Sequence, residues 1–292
     1  MKILFVASGR SFHAVRWANA LSDRGHDIHF FSVVDFKRPL SKAVVSHLAK
    51  YKNTKFSYFT SIIELRNLIS NIEPDIIHAH YSSGNGILGA LACYGLNIPF
   101  VTSLYGSEVF DFPNKSFLHK YLLKLVSIRA QRVLSTSNVM AKEFMTLYPN
   151  QNEPIVTPFG VDVSRFKKVD LEGVKTKNAY VVGMVKKLEK KYGVDTFIRS
   201  AQILLNSDFK GKIEFSIVGG GSQEKELKKL AETLGVEKNI EFKGWIPNED
   251  VPQFLNSVDI IVVPSRSESF GVSAVEAQSC SVPVIVSNVG GL

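Results

Sequence analysis

The run Pro264-Ser265-Arg266-Ser267-Glu268-Ser269-Phe270-Gly271-Val272-Ser273-Ala274-Val275-Glu276-Ala277 decides how this 292-residue chain is read. It follows an apolar stretch, Val258 to Val263, with the composition of a buried strand. Pro264 ends that strand, small residues make a turn, and a helical pattern then begins. The first N–H groups of a helix have no intrahelical acceptor, so they attract an anion. Two carboxylates, Glu268 and Glu276, stand eight positions apart on either side of Gly271. About a turn into the helix, Glu276 is placed to accept hydrogen bonds from a neutral diol beyond the phosphates, such as a ribose. The pattern predicts a nucleotide-diphosphate site.

Working outward, 292 residues suffice for two ordinary domains, each with its own core. A hydrophobic fraction of 45% and a charged fraction of 21% are those of a globular chain, not a disordered one. Cys93 and Cys280 lie in apolar runs without metal-ligand or CxxC spacing, which reads as two reduced, packed thiols in a cytoplasmic protein. The first strand begins at Lys2, leaving no room for a signal peptide. Residues Tyr81 to Ser107 carry no charge, but Gly84, Asn85, Gly86, Gly95, Asn97 and Pro99 punctuate them. They read as loop, short helix, turn and strand, not as a membrane span.

The net charge of +8 calls for an anionic partner or a solvated basic face. Phe117 to Arg129 has helical apolar spacing with cations on the other side. That pattern suits either docking on an anionic membrane surface or a core-packing helix with a wet basic side. Nucleic-acid binding is disfavoured, since no recognised motif is present.

Short apolar runs alternate with helical patterns throughout, the signature of α/β units and parallel sheets. In the first half the expected strands are Ile3–Ala7, Asp27–Ser32, Lys55–Phe59, Ile76–His78, Phe100–Leu104, Val133–Thr136 and Ile155–Thr157. In the second half they are Tyr180–Val185, Glu214–Val218, Ile240–Lys243, Ile260–Val263 and Val284–Ser287. The expected division is a first domain over 1–165, a linker over 166–178 and a second domain over 179–292, which the resemblance given below makes the nucleotide-sugar-binding one. Two doubly wound domains are then expected to face each other across a cleft lined by the carboxyl ends of their strands. The C-terminal domain is expected to be incomplete, because Gly290-Gly291 should open another turn and the chain stops at Leu292.

Other loops at strand ends add candidates. Ser8-Gly9-Arg10-Ser11 is a glycine turn without GxGxxG spacing, whose amides either approach a ligand or simply connect strand to helix. Gly219-Gly220-Gly221 lets the backbone come close to a ligand, and Gly244-Trp245-Ile246-Pro247 offers a stacking ring or a backbone contact for a base. The cations of Lys186 to Lys191 could neutralise a diphosphate in place of a metal ion, or form a solvated lysine run. His78-Ala79-His80 puts two imidazoles on one strand face with no carboxylate or thiolate set to complete a metal site. His80 is better read as a polar group lining the cleft.

Together these residues resemble the family-4 retaining glycosyltransferases of GT-B fold, over essentially the whole chain. Glu268 to Glu276 matches that family's Glu-x7-Glu motif and is followed by Ala277 to Val284 and Gly290-Gly291. Gly25-His26, Tyr105-Gly106-Ser107-Glu108, Pro158 to Asp162 and Val218 to Gly221 are supporting matches. The resemblance implies that Glu276 holds the nucleotide ribose and that Glu268 faces donor-sugar hydroxyls near the anomeric carbon. It implies that amides near Phe270, Gly271 and Val272 hold the distal phosphate, with Lys186 and Lys191 on the leaving diphosphate. Gly9, Gly219, Trp245 and Ile246 are further donor-side candidates, and Tyr105, Glu108 and His80 stand on the acceptor side. Four departures are visible: Met184 where the family has arginine, Tyr105 for histidine, Glu108 for aspartate, and Ser281 for glycine. The family also continues well past the glycine pair.

The expected activity is transfer of a sugar from a nucleotide-diphosphate donor to a hydroxyl of a growing lipid-linked or envelope glycan, with retention. No metal and no cofactor is expected beyond the donor substrate. The expected location is cytoplasmic, peripheral on the inner face of the membrane. The alternatives are a catalytically impaired remnant or binding subunit, and another GT-B sugar enzyme such as an epimerase.

Overall fold

The computed structural model describes residues 1–53, 56–169 and 179–292, and residues 170–178 of the expected linker lie outside it. The chain forms two compact units, Met1–Pro158 and Phe159–Leu292. Residues 159–169 go with the second unit: Phe166 is buried in its core, Asn256 Nδ2 donates to Lys167 O at 3.0 Å, and Val169 N donates to Asn256 Oδ1 at 2.8 Å.

The first unit contains strands β1 (Lys2–Val6), β2 (Asp27–Ser32), β3 (Val45–Leu48), β4 (Ile76–His80), β5 (Phe100–Leu104), β6 (Arg132–Ser135) and β7 (Ile155–Val156). Its helices are α1 (Phe12–Ser22), α2 (Ser57–Ile72), α3 (Gly84–Ala92), α4 (Ser107–Phe110), α5 (Phe117–Arg129) and α6 (Asn138–Leu147). The sheet is parallel throughout, in the order β3-β2-β1-β4-β5-β6-β7. The second unit contains strands β8 (Tyr180–Val185), β9 (Ile213–Val218), β10 (Ile240–Gly244), β11 (Ile260–Val263) and β12 (Val284–Val286). Helices α7 (Val194–Leu205), α8 (Glu224–Thr233), α9 (Val251–Asn256) and α10 (Val272–Ser279) complete it. Its sheet is also parallel, in the order β10-β9-β8-β11-β12.

Parallel strands joined by helices are covered on both faces, so they read as nearly continuous apolar runs, and this is why most of them were expected. One was not. The strand expected at Lys55–Phe59 is instead the start of α2; Lys55 itself lies outside the described residues. Tyr58, Ile62, Leu65, Ile69 and Ile72 recur at helical spacing and pack on one core, which outweighs the aromatic content of the first turn. The strand at that edge is β3, which is short and mostly exposed.

In each sheet the strand order reverses once, between β1 and β4 in the first and between β8 and β11 in the second. Neighbouring loops leave in opposite directions at such a reversal and open a crevice at the carboxyl ends of the strands. The loops after β1, β4, β8 and β11 contain Gly9, Tyr81, Lys186 and Glu268 respectively.

Helix α10 ends in a left-handed cap. Val282 N donates to Ala277 O at 2.9 Å, and Ser281 N donates to Gln278 O at 2.9 Å, the crossed pair of a Schellman motif. Ser281 occupies its left-handed position with φ +59°, the conformation that favours glycine. Replacing Ser281 by glycine is expected to raise stability by about 1 kcal/mol, read as a higher denaturation midpoint at unchanged m-value. A lower midpoint would show that the serine side chain holds the cap.

Candidate active site

In the second unit, three loops meet backbone to backbone at the carboxyl end of the sheet. A β-carbon on Gly219 (φ +144°) would lie 1.8 Å from Lys186 O, and one on Gly193 (φ +65°) would lie 2.0 Å from Pro264 O. One on Gly221 would lie 2.4 Å from Leu188 O. Only glycine permits these approaches. They bring the loop carrying Lys186 to Lys191 against the loop carrying Glu268.

The result is a compact charged cluster. Lys186 Nζ lies 2.5 Å from Glu268 Oε2, with the two side chains 11% and 13% exposed. The Tyr192 ring has Lys186 Nζ and Lys191 Nζ each 5.1 Å from its centroid. Arg266 fastens the same two loops: its N donates to Lys191 O at 2.8 Å, and its guanidinium donates to Lys190 O at 2.7 Å and to both oxygens of Asp195. Met184, where arginine was expected by resemblance, is fully buried in the core below, so Lys186 is the nearest cation this strand end presents.

Helix α10 begins at Gly271 (φ +81°) with no side-chain cap. Among the described residues, the N–H groups of Phe270, Gly271, Val272 and Ser273 donate to no protein acceptor. The hydroxyls of Ser265 and Ser273 are buried nearby without a hydrogen-bond partner. Unsatisfied donors at a helix start, with buried hydroxyls beside them, make an anion site. Glu276 lies four residues further along, 9% exposed and engaged in a polar contact. The turn Gly290-Gly291 closes on this loop, with Gly291 N donating to Glu268 O at 2.9 Å. A β-carbon on Gly290 would lie 2.1 Å from Glu268 O. The glycine pair therefore fixes the main chain that carries Glu268.

The remaining donor-side candidates divide. Gly219 serves packing, and its N–H is already given to Gly244 O at 2.8 Å. Trp245 is 74% exposed, beside the triple-glycine loop, while Ile246 packs into the core. Phe270 meets Phe159 edge-on at 5.7 Å. Gly9, in the first unit, is a correction: its N–H donates to Ser32 Oγ at 2.9 Å, and a β-carbon on it would lie 2.7 Å from the Phe36 ring, so its amide is not offered to a ligand.

The first unit assembles its own polar cluster at the ends of β1, β4 and β5. His80 is fully buried against Phe5, so the expectation that it lines an opening is also corrected. It acts beneath Tyr105, whose hydroxyl bonds His80 Nδ1. Burial holds the His80 imidazole well below its ordinary range and the Tyr105 phenol well above its own, so both are neutral. A phenol donating to Nδ1 leaves the hydrogen on Nε2, which has no partner. His78 and His80 do share one strand face, with ring centroids 4.3 Å apart, and His78 Nε2 bonds Ser103 Oγ at 2.7 Å. Among the described residues no three of His, Cys, Asp and Glu are grouped so as to hold a metal ion.

Glu108 is fully buried at the start of α4. Its Oε2 accepts from Tyr105 N at 3.4 Å and from Ser107 Oγ at 3.3 Å, and its Oε1 has no partner. Burial outweighs those bonds and lifts its pKa to about 7. Tyr192, Ser265, Ser273 and Arg266 were not singled out from sequence, although the last three stood in the quoted run from Pro264 to Ala277. Their roles depend on contacts made after folding.

Against this geometry, residues 2–137 match the family described as Glycosyl transferase 4-like, and residues 167–292 match Glycosyl transferases group 1. Each half of the chain is thus similar to a glycosyl transferase family. An uncharacterised glycosyltransferase of Methanocaldococcus jannaschii is 31% identical over 254 residues, covering 85% of this chain and 65% of that protein. The UDP-Gal:alpha-D-GlcNAc-diphosphoundecaprenol alpha-1,3-galactosyltransferase of Escherichia coli is 30% identical over 247 residues, covering 79% and 62%. The chain thus spans under two-thirds of the length of these curated relatives. HepE of Anabaena in complex with UDP-glucose has a TM-score of 0.80 at 22% identity, covering 100% of this chain and 81% of that one. The fold is GT-B, built from two Rossmann-like units.

Glu108 gives the chain a pH signature. Between its ordinary 4.5 and its native value of about 7, the unfolded chain has released a proton that the folded chain keeps. Stability therefore falls as pH rises through that window, and the loss is constant above it. Burial holds His13 and His78 down at about 4, which adds the opposite slope as pH falls below 6.5. Replacing Glu108 by glutamine should raise stability more at about pH 8 than at about pH 4, measured by urea unfolding. An equal gain at both pH values would show that folding does not shift the Glu108 pKa.

Proposed function

We propose that this chain transfers a sugar from a nucleotide-diphosphate donor to a hydroxyl of a lipid-linked or envelope glycan, with retention at the anomeric carbon. The observation that carries the reading is the uncapped start of α10, with four uncommitted amides, on the loop whose Glu268 pairs with Lys186. Negative charge builds on the leaving phosphate in such a transfer, while an oxocarbenium-like centre forms on the sugar. Donors already fixed in a partly dry site oppose that charge without reorganising at the moment of reaction. Lys186, Lys191 and the amides of Phe270 to Ser273 take that role here, and no metal ion is invoked. Glu268 faces the sugar hydroxyls, and Glu276 accepts from the ribose. The acceptor proton passes to the leaving phosphate oxygen on the same face, which retains the configuration. Trp245 offers the base an exposed ring.

Two of the proteins compared support the substrate classes, since one is a structure holding UDP-glucose and another is named for a diphosphoundecaprenol acceptor. A screen of UDP-, GDP- and ADP-sugars by thermal shift identifies the donor, and release of free nucleotide from labelled donor tests transfer. Binding without release supports a non-catalytic subunit, and stabilisation by none of the three rejects the reading. Replacing Glu276 by glutamine should weaken the donor about tenfold by calorimetry, the scale of one hydrogen bond to a charged group. Unchanged affinity would remove Glu276 from the ribose.

The acceptor reading favours an anionic membrane surface as partner. Helix α5 presents Phe117, 85% exposed, with Leu118 and Tyr121, beside Lys120 and Lys124. Apolar side chains ringed by ammonium groups suit the headgroup boundary of an acidic bilayer. Among the described residues no helix is long and apolar enough to cross a membrane. The protein should co-sediment with phosphatidylglycerol-containing vesicles and not with purely zwitterionic ones, and Phe117→Ser with Lys120→Ser should abolish it. Equal binding to both vesicle types would contradict an electrostatic dock.

A further inference from the structure

We propose that Glu268 is a resident counter-ion that the donor's diphosphate displaces from Lys186 on binding, and that it reclaims Lys186 when the product nucleotide leaves. The proposal rests on the nucleotide-sugar reading of the second unit and adds how that site is set and reset.

The argument starts from charge. Two ammonium groups share the Tyr192 ring, and only Lys186 is paired, with Glu268. Lys191 makes no ion pair among the described residues. Glu189, within electrostatic reach of Lys191, is already engaged by Ser222 N and Ser222 Oγ. The loop that carries Glu268 continues into four amides and two buried hydroxyls without partners, so further negative charge there is opposed chiefly by Glu268. An ammonium as enclosed as that of Lys186 is costly to leave unpaired, so in the empty site Glu268 keeps it in place.

A diphosphate at the start of α10 changes the balance. Its charge competes for Lys186 and repels the Glu268 carboxylate. The main chain cannot yield. Lys186 N donates to Val218 O at 3.0 Å, Gly219 lies against Lys186 O, and Gly291 N holds Glu268 O at 2.9 Å. The change is therefore confined to side-chain rotation. Lys186 passes from carboxylate to phosphate, and Glu268 keeps the donor Ser269 N on Oε1 at 3.3 Å but is left needing donors on Oε2. The hydroxyls of an attached sugar supply them, whereas a nucleotide without sugar does not.

Two consequences separate this arrangement from a fixed ion pair. The intact donor is preferred over the bare nucleoside diphosphate, because only the donor satisfies Glu268. After transfer, Glu268 loses its hydroxyl partners, recovers Lys186 and favours departure of the nucleotide. Lys186 is then a binding residue for the phosphate, and Glu268 is both its rival anion and the sugar's partner.

The test uses whichever of UDP, GDP or ADP stabilises the wild-type chain most, together with its glucose derivative, by calorimetry. Glu268→Gln should bind the bare nucleotide about tenfold more tightly than wild type and should bind the sugar nucleotide no better, so the preference for donor collapses. Lys186→Gln should weaken both. Glu268→Asp keeps the charge and should retain the wild-type order, which controls for general loosening of the loop. If Glu268→Gln weakens the bare nucleotide or leaves it unchanged while wild type binds it, the exchange is wrong and the nucleotide site stands. If wild type binds none of the nucleotides or their sugars, the reading of the site fails and the exchange fails with it.

Discussion

The second unit depends on main chain packed against main chain. At the carboxyl end of its sheet the loops after β8, β9 and β11 approach so closely that Gly193, Gly219 and Gly221 have no room for a β-carbon, and Gly290 repeats the arrangement on the far side of Glu268. Side chains have rotamers and backbones in such contact do not, so the loops are held to a tolerance that packed side chains cannot match. The main chain at Lys186, at Glu268 and at the start of α10 is therefore set before any ligand arrives. Preorganisation of this kind is what allows dipoles and ammonium groups to stabilise a developing phosphate charge.

The two sheets share one organising rule. Each reverses its strand order once; in the second the charged residues gather on loops that leave at that reversal, while in the first the polar cluster also draws on the end of β5. In the first unit the cluster is buried, with a neutral His80 under a neutral Tyr105 and a carboxyl at Glu108 lifted to about 7. In the second it is charged and short of acceptors. The contrast follows from depth. Desolvation neutralises groups that sit inside the sheet, whereas the loops beyond the strand ends keep ionised side chains paired or partly wet.

Much of this was legible in the amino-acid order. Strand cores covered on both faces announce themselves as apolar runs, and β2, β5, β8 and β11 fall where those runs predict. The turn and helix that carry Glu268 and Glu276 were legible because both are local, whereas the closure of Gly290-Gly291 on Glu268 comes only after β12. The start of α2 was misread because Tyr58 and Phe59 carry strand-like composition, while the helical period becomes clear only as far along as Ile69 and Ile72. Gly9 has the sequence of a ligand-facing turn, but Phe36 and Ser32, both distant in sequence, claim its surface and its amide. Tyr192 and Arg266 were passed over for the same reason, since each matters through a partner on another loop.

The central claim is that the amides at the start of α10 receive a phosphate. Amide chemical-shift mapping tests it most directly, by titrating the isotope-labelled protein with the nucleoside diphosphate that stabilises it most. The account predicts that the largest shifts fall on Gly271, Val272 and Ser273, with Lys186 and Tyr192 following. Saturable binding that leaves those amides unmoved, with the shifts gathered elsewhere in the chain, would contradict it.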